Sequence, residues 1–243
     1  MRTVAIIQAR MGSSRLPGKV MRHLAGRPMI YHVVSRVASV PSIDHVVVAT
    51  STLAGDLPLV NYLRSIDVPV FCGSEQDVLA RYYGAACEFE ADVIVRITAD
   101  CPLISRNVTE YVTSTFLSAN GAFDYVSNTL SRTYPRGLDT EVFSFAALTM
   151  AHRRATAPSD REHVTPFIWR QPDVFRLKSV TSEIDNSTLR WTVDEEADFE
   201  LVQRIYSALL NTNPDFEYEE ILRLLGENPD WTEINRHVEQ KYV

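Results

Sequence analysis

The sequence predicts an α/β protein with a mainly parallel sheet in a single domain, and three observations carry that prediction. Short apolar runs rich in β-branched residues recur at residues 3–7, 45–50, 69–72 and 92–98, the pattern of strands buried on both faces. Segments with helical spacing lie between them, so the strands are joined by right-handed βαβ crossovers. The chain has 243 residues, 45% of them hydrophobic, with no internal repeat, low-complexity stretch or linker. That is enough for one large core.

The elements follow in order. The first strand runs into the loop "ARMGSSRLPGK". "PMIYHVVSRVASV" then places Met29, Ile30, Val33, Val34 and Val37 on one helical stripe. "HVVVAT" is the second strand, residues 57–66 a helix of modest pattern, and 69–72 the third strand. "DVLARYYGAACEF" reads as a helix and "DVIVRIT" as the fourth strand. Beyond it the order loosens. "DYVSN" (124–128) is a strand entering the loop "TLSRTYPRGLDTEV", helices are expected near 145–155 and 161–170, and strands near 175–180 and 189–193. "EEADFELVQRIYSALL" is amphipathic, with Leu201, Val202, Ile205, Leu209 and Leu210 on its apolar stripe. Residues 211–243 read as a C-terminal helical extension of the same domain, with no role assigned.

Charge and composition narrow the function. The formal net charge of −7 argues against nucleic acid as a partner, which selects a basic footprint. Three scattered cysteines without a C-x-x-C pair suggest neither a disulfide framework nor a zinc site. The chain enters its first strand after Met1-Arg2 without a signal-peptide pattern, and no apolar run approaches the roughly 18 residues of a membrane span. The expectation is a soluble cytoplasmic protein with no membrane association.

Against that acidic background, Arg10, Arg15 and Lys19 gather in one glycine-containing loop at the carboxyl end of a strand, where open α/β sheets bind ligands. The loop is neither G-x-G-x-x-G nor a P-loop, since Gly12 and Gly18 enclose five residues and Val20 follows Lys19. Arg offers planar bidentate contact to phosphate oxygens and Lys a point charge, so a triphosphate suits the loop; a solvated basic loop is the competing reading. Asp100 in "RITADCPLI" stands past the fourth strand, as a metal ligand or a turn cap. Asp194 in "RWTVDEEADFE" stands between a strand and a helix, as a second metal ligand or an N-cap. Glu195, Glu196 and Asp198 read as decoration of the helix's first turn.

The segments "IIQARMGSSRLPGK", "RITADCPLI", "YPRGLDTEVF", "DREHVTPFI" and "WTVDEEAD" resemble the cytidylyltransferases of spore coat polysaccharide biosynthesis, and more distantly the CMP-Kdo and CMP-acylneuraminate synthetases. The resemblance reaches about Leu210. It implies a Rossmann-like, glycosyltransferase-A-like nucleotidyltransferase domain that uses CTP. It places the nucleotide on Ala9, Arg10, Gly12, Ser13, Arg15 and Lys19, with base contacts around Ser74, Asp77 and Arg81. Asp100 and Asp194 become the expected Mg²⁺ ligands, and with Arg15 and Lys19 the catalytic set. A homodimer is a further possibility.

By residue type, the acceptor belongs to Arg136, Asp139 and Glu141 of one loop and to Arg161 and His163 at the start of a predicted helix. The two arginines suit an acceptor carboxylate, phosphate or phosphonate; His163 is a general base, a hydrogen-bond donor or a structural histidine. Competing classes are a glycosyltransferase, disfavoured because "TADCPL" lacks an Asp-x-Asp motif, and a catalytically silent binding module.

Overall fold

The computed structural model describes residues 1–240; the last three residues of the expected C-terminal extension lie outside the described part. β1 (Thr3–Gln8) is followed by a small hairpin, β2 (His23–Leu24) and β3 (Arg27–Pro28), and by α1 (Met29–Ala38). Next come β4 (His45–Ser51), α2 (Leu57–Ser65), β5 (Val70–Gly73), α3 (Val78–Glu88), β6 (Val93–Thr98) and α4 (Arg106–Ser118). The second half holds β7 (Tyr125–Ser127), β8 (Glu141–Ser144), α5 (Phe145–Arg154), α6 (Pro158–His163), α7 (Pro166–Trp169), β9 (Leu177–Ser179), α8 (Glu196–Leu209) and α9 (Tyr218–Glu227).

Seven strands form one sheet in the order β5-β4-β1-β6-β8-β7-β9. The first four are parallel; β8 runs antiparallel to both β6 and β7, and β9 is parallel to β7. The predicted mainly parallel α/β fold is therefore the observed one. Side chains alternate across the sheet. Ala5 and Ile7 join Val48, Val95 and Ile97 on one face, while Val4 and Ile6 join Val47, Ala49 and Ile94 on the other. Helices α1, α2, α4, α8 and α9 cover the first face and α3, α5 and α7 the second. Both faces are buried, which is why these strands are continuous apolar runs. Tyr218, Ile221 and Leu225 of α9 belong to the same core cluster as β1.

Several sequence expectations need correction. Helix α4 falls where none was read, because Thr109 and Thr113 sit in its buried stripe with Val108, Val112 and Phe116. Their hydroxyls are satisfied, Thr113 by donating to the Thr109 carbonyl at 2.7 Å and Thr109 by pairing with Thr140 at 3.2 Å. Strand β8 lies in what reads as loop, since its first residue is charged. Register settles it: Glu141 faces Arg96 across the β6–β8 ladder, and the two form an ion pair at 3.0 Å. The expected strand at 189–193 is reduced to a single bridge between Arg136 and Arg190. The helix expected over 161–170 is two short helices, broken where Val164 takes φ +73° before Pro166.

That single bridge still fixes the chain. The Arg136 amide donates to the Leu189 carbonyl at 3.0 Å and the Trp191 amide to the Arg136 carbonyl at 2.7 Å. Gly137, at φ +106°, lets the two backbones approach this closely. A Cβ there would stand 2.6 Å from the Thr192 nitrogen and from the Trp191 carbonyl carbon. Gly137→Ala should destabilise the protein by at least about 2 kcal/mol, combining a disfavoured φ with backbone overlap. An unchanged denaturation midpoint in that variant would contradict the close approach.

Candidate active site

Register determines where the site lies. Gln8 is level with Ala49 of β4 and Thr98 of β6, so the chain leaves β1 and β6 at one edge of the sheet. A cleft of about 710 Å³ opens there. It is lined by Ala9, Arg10, Gly12, Ser13, Arg15 and Lys19 from the first loop, by Asp100 and Asp194, and by Arg81, Arg136, Asp139, Glu141 and His163. Thus most of the sequence-predicted residues, drawn from distant parts of the chain, meet in one concavity. Ser74, Asp77 and Arg161 do not line it. Asp77 caps α3 by accepting from the Ala80 amide at 2.8 Å and pairs with Arg161 at 2.5 Å, while the Ser74 hydroxyl accepts from the Asp77 amide.

The loop after β1 is anchored from beneath by a residue the sequence did not flag. Asp56 is 4% exposed and has no cation within ion-pairing distance among the described residues. It accepts from the Met11 amide, from Thr50 Oγ1 and from the Ser51 amide and hydroxyl. Burial raises its pKa, but the hydrogen bonds from Ser51, Met11 and Thr50 outweigh that and leave it below the ordinary range. The carboxylate therefore stays ionised and ties the loop to the end of β4. The Gly18 amide donates to the Met11 carbonyl at 2.9 Å, and Gly18 takes φ +71° to close the turn. Arg10, at the mouth of this loop, is exposed and makes no ion pair among the described residues.

Lys19 behaves differently from the solvated loop cation that its position in the sequence suggests. It is 9% exposed, and its Nζ donates to three oxygens: Asp194 Oδ1 at 2.9 Å, Asp100 Oδ2 at 3.2 Å and the Val193 carbonyl at 2.7 Å. Burial depresses the ammonium's pKa, yet Asp100 and Asp194 more than compensate and leave it raised. Asp194 shows the mirror image: burial raises its pKa, and Lys19, Arg190 and Arg15 hold it below the usual carboxylate value. Arg15 reaches Asp194 at 2.8 Å and Glu195 at 3.3 Å. Asp100 and Asp194 thus face one another across a single cation. The helix cap of α8 is Glu195, so Asp194 is free of that structural duty.

The three oxygens around Lys19 Nζ form a hard donor set, two carboxylates and a carbonyl, suited to a divalent cation that completes its shell with water and phosphate. Among the described residues, Asp100 and Asp194 are joined by no third carboxylate, cysteine or histidine that would make a self-sufficient metal cage.

Further along the cleft the sequence reading missed Arg96 and Arg132. Arg96 is bonded to Glu141 at 3.0 Å and to the Gln8 side chain at 3.1 Å, and Thr165 also donates to Glu141. Arg132 binds Asp139 in bidentate fashion at 2.6 and 2.9 Å. The signal for Arg96 was present: it is the one charged residue inside the apolar stretch "VIVRIT". Arg81 is 2% exposed and donates to the Ser74 carbonyl at 2.8 Å, while its Nε has no partner among the described residues. Burial lowers its pKa, with Arg10 adding to the effect. His163 is half-buried, and burial pulls its pKa below the ordinary imidazole value.

An α/β sheet whose strand ends carry a cationic loop opposite two convergent carboxylates defines a nucleotidyltransferase, and comparison with known proteins makes this specific. The chain belongs to the cytidylyltransferase family, whose model matches residues 4–241 and so takes in the segment beyond Leu210. It is a CTP-dependent nucleotidyltransferase. It is 31% identical over 233 residues to the spore coat polysaccharide biosynthesis protein SpsF of Bacillus subtilis, covering 93% of this chain and 94% of that one. It is 32% identical over 174 residues to 3-deoxy-manno-octulosonate cytidylyltransferase 2 of Hydrogenovibrio crunogenus, covering 67% of this chain and 69% of that one. A cytidylyltransferase structure from Leptospira borgpetersenii superposes with a TM-score of 0.92 at 30% identity over the whole of both chains. No helix among the described residues is long and apolar enough to cross a membrane.

Proposed function

We propose that this enzyme transfers CMP from CTP to an anionic acceptor, a sugar acid or a sugar or small-molecule phosphate or phosphonate, in the making of a cell-surface polysaccharide. The observation that carries the reading is the convergence of Arg15, Lys19, Asp100 and Asp194 at the edge of the sheet. An acceptor oxygen attacks the α-phosphorus in line. The new O–P bond forms as the bond to the β-phosphate oxygen breaks, and pyrophosphate leaves.

Arg10 and the loop amides bind the β- and γ-phosphates, a role supported by Arg10's exposure and its lack of an ion pair among the described residues. Arg15 and Lys19 neutralise charge as it moves onto the leaving group. Arg81, which lines the cleft, suits the cytosine side of the nucleotide. Asp100 and Asp194 would hold Mg²⁺ once the Lys19 ammonium leaves them for the phosphates; when bound, the ion would screen the phosphate oxygens and help to orient the triphosphate. Beyond them, Arg136 and Arg132 suit the acceptor's negative group. His163, kept neutral by burial, can take the proton of an acceptor hydroxyl. A phosphate acceptor needs no such base. The polysaccharide context comes from SpsF and the sugar-acid option from the octulosonate enzyme.

The test is pyrophosphate release with each NTP, Mg²⁺ and a panel of anionic sugars. CTP with one of these acceptors should turn over at least tenfold faster than ATP, GTP or UTP. Equal use of UTP, or hydrolysis-free binding of UDP-sugars with sugar transfer, would replace this reading with the glycosyltransferase one.

A further inference from the structure

The segment after α9 returns across the molecule to the catalytic cleft. Asn235 is 3% exposed, and its Nδ2 donates both to Asp198 Oδ1 at 2.8 Å and to the Arg190 carbonyl at 2.9 Å. Asp198, expected from the sequence to decorate the surface of a helix, is fully buried. It accepts from Arg190 Nε at 2.9 Å and from the amides of Asp194 and Glu195 at 2.9 and 3.0 Å. Arg190 in turn donates to Asp194 Oδ2 at 2.8 Å and to Gln240 Oε1 at 2.5 Å. One residue earlier, the Glu239 carbonyl accepts from Arg15. Val238 is buried beside them and pins the segment.

We propose that residues 235–240 are a working part of the catalytic apparatus, with Asn235 a positioning residue that acts on Asp194 through Asp198 and Arg190. The geometry explains why such a device is needed. The segment before Asp194 is held by the bridge to Arg136 and by the Val193 amide, which donates to the Asp100 carbonyl at 2.7 Å; these bonds fix the backbone but not the side-chain torsions that aim the Asp194 carboxylate. The amide and the Oδ2 of Asp194 are both tied to the Asp198–Arg190 pair. That pair is buried, and an unsatisfied lone pair on Asp198 would be costly there; Asn235 fills it. The amide of Asn235 also bonds the Arg190 carbonyl, which ties the backbone of Arg190 to the same buried group. Gln240 holds the guanidinium's other edge. Hydrogen-bond partners behind a ligand typically alter metal affinity or activity by about 10–100-fold when removed.

This inference rests on the proposed role of Asp194, and the experiment separates the two. Mn²⁺ binding in the presence of CTP is measured by electron paramagnetic resonance for the parent, Asp194→Asn, Asn235→Ala and Gln240→Ala, with thermal melts alongside. We expect Asp194→Asn to abolish tight Mn²⁺ binding. Asn235→Ala should weaken it roughly tenfold, and Gln240→Ala a few-fold, with kcat falling in step and KM for the acceptor unchanged. Asn235→Ser, which keeps a donor in less volume, serves if the alanine variant does not fold, and should recover part of the loss. If Asp194→Asn loses Mn²⁺ while folded Asn235 and Gln240 variants bind it as the parent does, the positioning role is overturned and the metal assignment stands. If Asp194→Asn itself binds Mn²⁺ normally, the metal assignment falls and the positioning route falls with it.

Discussion

Asp100→Asn and Asp194→Asn should each reduce metal-dependent turnover by at least 100- to 1,000-fold, on the order of losing a principal electrostatic contact in the transition state. The two carboxylates converge on one cation at 3.2 and 2.9 Å, and among the described residues no third carboxylate, histidine or cysteine completes a metal-holding group with them. Metal-free CTP should bind both variants at least as well as the parent, because each substitution removes repulsion toward the triphosphate. Steady-state pyrophosphate release and calorimetry with CTP in EDTA measure the two halves. A folded Asp194→Asn enzyme with parental kcat would remove Asp194 from the site. The same variant should flatten the acid limb of stability. Asp194 has a depressed folded-state pKa, so its stabilisation is present above its ordinary value near 3.8 and is lost as pH falls through the folded one.

Lys19→Ala should lower kcat/KM by about 100-fold or more, through loss of a cation opposite the developing charge. It should also destabilise the fold by about 1–3 kcal/mol, because a buried ammonium with three acceptors is replaced by two carboxylates facing each other. The cost stays below that of an isolated buried pair since Arg15 and Arg190 still neutralise Asp194. A divalent cation fits the vacated position, so Mg²⁺ or Mn²⁺ should raise the melting temperature of Lys19→Ala more than that of the parent. Near-parental turnover in this variant would end the assignment of Lys19 to phosphate chemistry. An equal effect of metal on both proteins would show that Lys19 and the cation do not share a position.

The sequence by itself determined the four parallel strands and the sheet edge at which the Arg10–Lys19 loop, Asp100 and Asp194 meet. β1, β4 and β6 are buried on both faces, so their mostly apolar runs are legible, and a charged loop at such a strand's end stands out. The motifs "RMGSSRLPGK", "TADCPL" and "WTVDEEAD" carry local chemistry that reads without coordinates. Helix α4 and strand β8 did not read, because threonines in a buried stripe and a buried Glu141 violate the binary pattern while being satisfied by partners 31 and 45 residues away. Asp56 was silent for the same reason: its donors are a loop amide 45 residues distant and two neighbouring hydroxyls. Asp198 and Asn235 look like a helix's first turn and a polar tail, and only folding brings the tail's amide to the buried carboxylate. Periodicity and residue type report on what a residue is and which way its own element faces. Which polar groups compensate one another inside the protein depends on three-dimensional register, because a buried donor or acceptor is stable only beside a partner that may lie anywhere in the chain.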